Sequence, residues 1–236
     1  MIFDILILSS SPVLFLLWYF YQRHVYKRIP IDRMYTIFWT AFLLGFVAML
    51  LETQISRYTV LHLYAESLHH RLGFLFFSVS FTEELIKLLP VFIWVYHSDI
   101  FEEPYDGIIY SVSGALGLAF LENVIYFMSE GVDIMFSRTL LALPTHVLTM
   151  VYAGYFLGMA HFQTRKSREI LWLVVGFLCA MLIHFFYNAI FTISITYPTL
   201  YALCFLIALW IGGMFMIKDH IQKSPYRIKT HKIQSQ

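Results

Sequence analysis

Long apolar stretches alternate with short polar segments along almost the whole chain. A membrane-spanning helix needs about 20 mostly apolar residues, and seven stretches meet that requirement. Their approximate ranges are 2–21, 34–51, 73–96, 107–128, 139–161, 170–191 and 199–217. The pattern therefore predicts an all-α, polytopic membrane helix bundle of about seven transmembrane helices, folded as a single membrane domain over residues 1–236.

Composition supports the same class of protein. The chain is 59% hydrophobic and 13% charged, whereas soluble domains carry about 25% charged residues. Its two cysteines lie inside apolar runs, so they indicate neither a disulfide framework nor a thiolate metal cluster. A net charge of +1 gives no indication of a nucleic-acid partner, and none is expected. The predicted location is the cell membrane, with several passes.

The basic residues predict how the chain is oriented, because cytoplasmic loops are enriched in lysine and arginine. Three alternate segments hold Arg23, Lys27, Arg28, Arg33, Arg165, Lys166, Arg168, Lys218, Lys223, Arg227, Lys229 and Lys232. The opposite side holds Arg57, Arg71 and Arg138, and Lys87 lies within a span. We therefore expect an outer N-terminus and a cytoplasmic C-terminus. The basic tail 218–236 is expected near anionic headgroups.

Several ionisable side chains lie inside the predicted spans, where they are costly and usually functional. They are Glu83, Glu84 and Lys87 in span three, Glu122 in span four, His146 in span five and His184 in span six, with Asn123 and Asn188 as polar neighbours. At 1.5 Å per residue, Glu83 lies roughly 15 Å from the outer face, whereas Glu122, His146 and His184 lie roughly 9–10 Å from it and Asn188 roughly 5 Å. We therefore expect one polar layer, converging within about 3–5 Å of a water-sized space.

Each of these residues also has a purely structural interpretation. Glu83 and Lys87 are four residues apart and can form an ion pair within one helix. His146 follows Pro144 and can satisfy a kinked backbone. The shared depth favours a reactive site, since unrelated structural groups have no reason to lie in one layer.

Known intramembrane chemistries narrow the class of site. The sequence has no HExxH zinc motif, and Asp106 at a span edge lacks the second aspartate of an aspartyl pair. The segment "SVSG" at 111–114 leaves a serine-protease alternative that uses Ser113 with His184. A proton- or ion-coupled transporter and a non-catalytic membrane scaffold are the alternatives from other classes.

Four motifs on consecutive spans resemble those of the PrsW proteases, within the superfamily that includes the CAAX prenyl endopeptidases and bacteriocin-processing membrane proteins. They are "EELIK" at 83–87, "EEPYDGIIYSVSGALGLAFLEN" at 102–123, "PTH" ending at His146 and "HFFYN" at 184–188. The resemblance covers spans three to six and marks about 73–191 as the catalytic core. The wider superfamily has an arginine one position beyond Lys87 and a histidine where Glu122 stands, so prenyl-protein processing is not expected.

The PrsW resemblance implies site-1 cleavage of a single-pass, membrane-anchored anti-sigma factor near its extracytoplasmic side, as a step in a stress response. In our hypothesis Glu83 or Glu84 activates a water, and His184, helped by Asn188, stabilises the oxyanion or protonates the leaving amine. Glu122 and His146 complete the site, while Lys87 keeps one glutamate ionised and Asn123 is a supporting group. A metal-free hydrolase is the expectation. Zinc held by His146, His184, Glu83 or Glu122 is the alternative.

Overall fold

The structure, a computed structural model, describes residues 2–193 and 195–227 and contains no strand within them. Six helices are long: α1 (Ile2–Gln22), α2 (Ile31–Tyr58), α5 (Pro104–Glu130), α7 (Leu143–His161), α8 (Lys166–Thr192) and α9 (Pro198–Gln222). Three are short: α3 (Leu68–Gly73), α4 (Phe81–Val91) and α6 (Met135–Ser137). Helical turns of other types are Phe74–Ser80, Phe92–Tyr96, Val132–Ile134 and Arg138–Ala142. The tail residues Lys229 and Lys232 lie outside the described residues.

The predicted all-helical membrane architecture is confirmed. Within the described part of the chain, six helical segments are long and apolar enough to cross a membrane. The seventh predicted span, 73–96, is helical without interruption from Leu68 to Tyr96. It is not among these six, and three charged residues, Glu83, Glu84 and Lys87, lie at its centre.

Helix α5 is the centre of the bundle. Every residue from Tyr105 to Ala119 is buried, and the helix packs against α1, α2, α4, α7 and α9. Gly114 lies directly against the backbone carbonyl of Lys87, where a Cβ atom would overlap with the oxygen. Small residues allow membrane helices to approach this closely. This contact fixes α4, and the charged residues on it, against the central helix.

Helix α4 carries the "EELIK" motif and is bounded by π-helical turns on both sides, Phe74–Ser80 before it and Phe92–Tyr96 after it. π-helical turns commonly occur at functional sites, where they change which side chains face a neighbouring helix. Glu83, Glu84 and Lys87 are all buried. The irregular helix thus turns three charged side chains into the bundle rather than towards lipid.

A polar cluster holds the N-terminal end of α5, on the predicted cytoplasmic side. Glu103 and Asp106 form a capping box, and His24 Nε2 lies 2.7 Å from Glu103 Oε1 and 2.9 Å from Asp106 Oδ1. Burial alone would lower the pKa of His24, but its hydrogen bonds to Asp106 and Glu103 raise that pKa to about 9. Asp106 therefore caps a helix and joins it to the segment after α1.

This cluster predicts a pH dependence of stability. The folded-state pKa of His24 lies above its ordinary value of 6.5, so its contribution is complete below about pH 6.5 and is lost as the pH rises through about 9. We expect the melting temperature in detergent to fall across this window in the wild type and to change less in His24→Gln. His69→Gln, which alters an exposed histidine, should behave as wild type. Equal slopes in all three proteins would contradict the assignment.

Candidate functional site

The polar residues predicted to share one layer border a cavity of about 490 Å³ between α2, α4, α5, α7 and α8. Five of the side chains named from the sequence line it: Glu83, Glu122, His146, His184 and Asn188. At one end the cavity is lined by Tyr126, Ser137 and Thr192, which lie close to the predicted outer ends of their helices. The structure therefore brings these five side chains together, as helix depth predicts. The cavity that they line is towards the predicted outer side.

One wall of the site is a chain of contacts from Lys87 through Glu84 to His184. Lys87 Nζ lies 2.5 Å from Glu84 Oε1, and His184 Nδ1 lies 2.6 Å from the same oxygen. A lysine ammonium has donors only, and an ionised carboxylate is only an acceptor. His184 therefore donates its Nδ1 proton to Glu84. Its other ring nitrogen, Nε2, faces Glu83 Oε2 at 3.8 Å.

The opposite wall is a second chain of contacts that runs from Arg138 through Glu122 to His146. Arg138 Nη2 donates to Glu122 Oε2 at 3.0 Å, and Arg138 Nε donates to Asn123 Oδ1 at 2.8 Å. His146 Nε2 lies 3.3 Å from that same Glu122 oxygen. The other nitrogen of this ring, Nδ1, lies 3.8 Å from Glu83 Oε2.

Glu83 is the group on which both walls meet. Its Oε2 atom and the Nδ1 atom of His146 are buried and have no hydrogen-bond partner among the described residues. Ligand atoms of Glu83, Glu122 and His146 lie within 4.8 Å of one another, a separation that suits a metal ion. Unpaired electron-pair donors gathered around one point are the usual surroundings of a bound cation or a reactive water.

Two features differ from the sequence expectations. Lys87 was aligned with Glu83 by helix spacing, but its closer partner is Glu84, at 2.5 Å against 3.6 Å. The physical reason is burial: the Glu84 side chain is inaccessible to solvent and needs the counter-charge, whereas Glu83 borders the cavity. Ser113 is not part of the cavity lining, and its hydroxyl donates to the Ile109 carbonyl. The structure therefore does not bring Ser113 and His184 together as a catalytic pair.

Two charged residues that line the cavity were not identified from the sequence, Glu52 and Arg138. Helix α2 continues to Tyr58, beyond the predicted end at 51, and this places Glu52 within the helix. Arg138 was assigned to an outer loop, but it belongs to a π-helical turn that leads into α7. A longer apolar window would have found Glu52, whereas only the contact with α5 reveals the position of Arg138.

Comparison with known proteins gives a consistent family. Residues 33–212 match the family described as "PrsW family intramembrane metalloprotease". The chain is similar to Protease PrsW of Geobacillus kaustophilus, with 31% identity over 92% of each chain. It is also similar to Protease PrsW of Bacillus subtilis, with 32% identity over 90% of this chain and 93% of the relative. No solved structure matches the chain.

The pairing of Lys87 with Glu84 predicts the effect of removing one charge. Lys87→Met leaves a buried carboxylate without its cation and should cost about 3–5 kcal/mol of stability, measured by unfolding in detergent. Adding Glu84→Gln should restore much of the lost stability, because the methionine and the glutamine that replace this ion pair are both neutral.

The matched control is Lys223→Met, which breaks an exposed pair with Asp219 and should cost no more than about 1 kcal/mol. Similar losses from the two lysine variants, or no recovery in the double variant, would contradict the assignment.

Proposed function

The chain belongs to the PrsW family of intramembrane proteases, and on that premise we propose that it hydrolyses a peptide bond of a membrane-anchored protein at the cavity around Glu83. The observation that carries this proposal is the meeting of His146 and His184 at one oxygen of Glu83. Each histidine has its other nitrogen next to a carboxylate. This arrangement presents a carboxylate and two oriented imidazoles to one reacting group.

The residues present also fit a metal ion, which the family description implies. His184 donates one ring proton to a carboxylate and turns its other nitrogen to the cavity, which is the usual outer-shell arrangement of a metal-binding histidine. Buried Glu83 Oε2 and His146 Nδ1 have no hydrogen-bond partner among the described residues. The ion would be held by Glu83, His146 and His184, with Glu122 close by. When bound, zinc supplies a Lewis acid that polarises the scissile carbonyl and acidifies water.

This preference differs from the metal-free expectation drawn from the sequence, and its reason is geometric. A site that used Glu83 alone as a base would leave Glu83 Oε2 and His146 Nδ1, both buried, without a hydrogen-bond partner among the described residues, since Lys87 Nζ lies 3.6 Å from that oxygen and bonds to Glu84 instead. Such a group of buried acceptors is costly. A cation bound among them removes that cost, so we infer a metal-assisted hydrolase.

The roles of the residues follow from their surroundings. Glu83 stands next to the attacking water: its Oε2 faces the imidazoles, and its other oxygen is assigned to accept the water's proton. The water oxygen bonds to the peptide carbon, the bond to nitrogen breaks, and the proton passes to the leaving amine. Glu84 and Lys87 keep His184 in position, so they act through that ring. Asn188, from the same helix as His184, is assigned to donate to the peptide oxygen.

For the substrate we propose a single-pass anti-sigma factor cleaved near its extracytoplasmic side, which is site-1 cleavage. The support is the place of the cavity, whose lining includes Tyr126 and Thr192 close to the predicted outer ends of α5 and α8. A bond just inside the outer face of the membrane would reach this site first.

The test is cleavage of a single-pass substrate with a short extracytoplasmic stub by the purified protein in detergent. Glu83→Gln should lose about 10²–10⁴-fold in kcat/KM, the usual contribution of a positioned acid or base. Glu84→Gln should lose about 10–100-fold, as an outer-shell partner does. Elemental analysis should find zinc in the wild type, and a chelator should abolish cleavage.

The matched control is Ser113→Ala, which removes a buried hydroxyl outside the cavity and should cleave as wild type does. Full activity in folded Glu83→Gln would refute the assigned site. Chelator-resistant cleavage by a zinc-free wild type would refute the metal while leaving the protease proposal standing.

A further inference from the structure

Arg138 ends the second of two similar chains of contacts that meet at Glu83. In each chain a cation contacts a carboxylate, and the carboxylate contacts one nitrogen of a histidine. The second nitrogens of both histidines lie at the same distance, 3.8 Å, from Glu83 Oε2. We propose that Arg138 is a positioning residue which, through Glu122, keeps a proton on His146 Nε2 and thereby presents Nδ1 to Glu83.

Arg138 is fixed in one geometry by the last turns of α5. Besides its bonds to Glu122 and Asn123, its guanidinium carbon lies 3.9 Å from the centre of the Tyr126 ring. Its side chain is 13% exposed, as is that of Glu122. The planar guanidinium presents donors in a fixed fork. It can therefore bond to two neighbouring residues of one helix at once, which a lysine ammonium on a flexible chain does less well.

The guanidinium of Arg138 holds the Glu122 carboxylate beside His146. Glu122 Oε2 accepts a hydrogen bond from Arg138 Nη2, and the same oxygen lies 3.3 Å from His146 Nε2. The carboxylate is therefore an acceptor towards His146 as well, and the proton between them belongs to His146 Nε2. His146 Nδ1 is then left with its electron pair on the side of Glu83 Oε2, 3.8 Å away, and it has no hydrogen-bond partner among the described residues.

Under this proposal, Asn123 holds the Arg138 guanidinium in place. It was a supporting residue in the sequence hypothesis, but the contact that the structure gives it is with Arg138 Nε rather than with the cavity. It is buried, and it holds the guanidinium at the height of Glu122. Together the two residues explain why a charged group stands so close to a membrane site, where an isolated charge is costly.

The direct test is the tautomer of His146 in protein from which metal has been removed. The ¹⁵N shifts of histidine-labelled protein in detergent, assigned with His146→Gln, should show the Nε2–H form in the wild type. Arg138→Gln should populate the Nδ1–H form as well, and Arg138→Lys should lie between the two. Arg57→Gln, which alters another arginine on the predicted outer side, should match the wild type.

A second variant keeps the test decisive if Arg138→Gln does not fold. Asn123→Ala retains both charges and removes only the bond that holds the guanidinium, so it should shift the tautomer in the same direction and by less. An unchanged His146 tautomer in the folded variants would overturn the proposal. This readout does not depend on cleavage, so it decides the role of Arg138 even if the wild type proves to be no protease.

The consequence for the site rests on the proposed function and has a separate measurement. Zinc affinity, determined by competition with a chelator of known affinity, should fall about 10–100-fold in Arg138→Gln, as for other outer-shell partners. With the peptide substrate, kcat should fall while KM stays close to that of the wild type. Unchanged zinc affinity beside a shifted tautomer would refute the link to metal binding, whereas a wild type without zinc or cleavage would refute the proposed function itself.

Discussion

A charged side chain can remain inside a membrane bundle only when it carries its counter-charge with it, and this constraint organises the whole site. Glu84 and Lys87 are both inaccessible to solvent, where an unpaired charge would cost several kcal/mol. Lys87 Nζ and His184 Nδ1 both contact Oε1 of Glu84, so the carboxylate that balances the lysine charge also holds the His184 ring. The ion pair that stabilises the bundle thus also orients the His184 ring.

The helix packing serves the same constraint. Charges within a membrane are tolerated where they face the interior of the bundle and pair with one another, and α4 meets this condition because Gly114 lets it approach the central helix closely. The π-helical turns on either side of α4 lie at the borders of this contact. The close packing, the π-helical turns and the buried charges all determine the position of α4. A change in any of them should therefore shift Glu83, which lies on this helix.

The sequence predicted the membrane class, the helical architecture and the meeting of residues from four helices, because hydropathy and helical rise determine which groups share a depth. It could not determine which carboxylate Lys87 contacts, since both lie within reach on one helix and burial decides between them. It placed Arg138 in an outer loop, because a charge next to an apolar segment is ordinarily solvated. Asp106, which belongs to the matching motif, proved to be a helix cap. Membership of a protease family also leaves the transporter and scaffold alternatives without support.

The size of the cavity imposes a condition on what can be cleaved there. An α-helix with its side chains is about 10–12 Å across, so 490 Å³ holds little more than one of its turns. A helical peptide bond is also shielded, because its carbonyl already accepts a bond from within the helix. Under the proposed function, the target would therefore unwind before it reaches Glu83, and its freed backbone groups would need polar partners in the membrane, which the polar side chains of this cavity offer. On that proposal, a substrate is selected by how easily its transmembrane segment loses helical structure near the outer face. This property matters as much as the identity of the residues beside the cleaved bond.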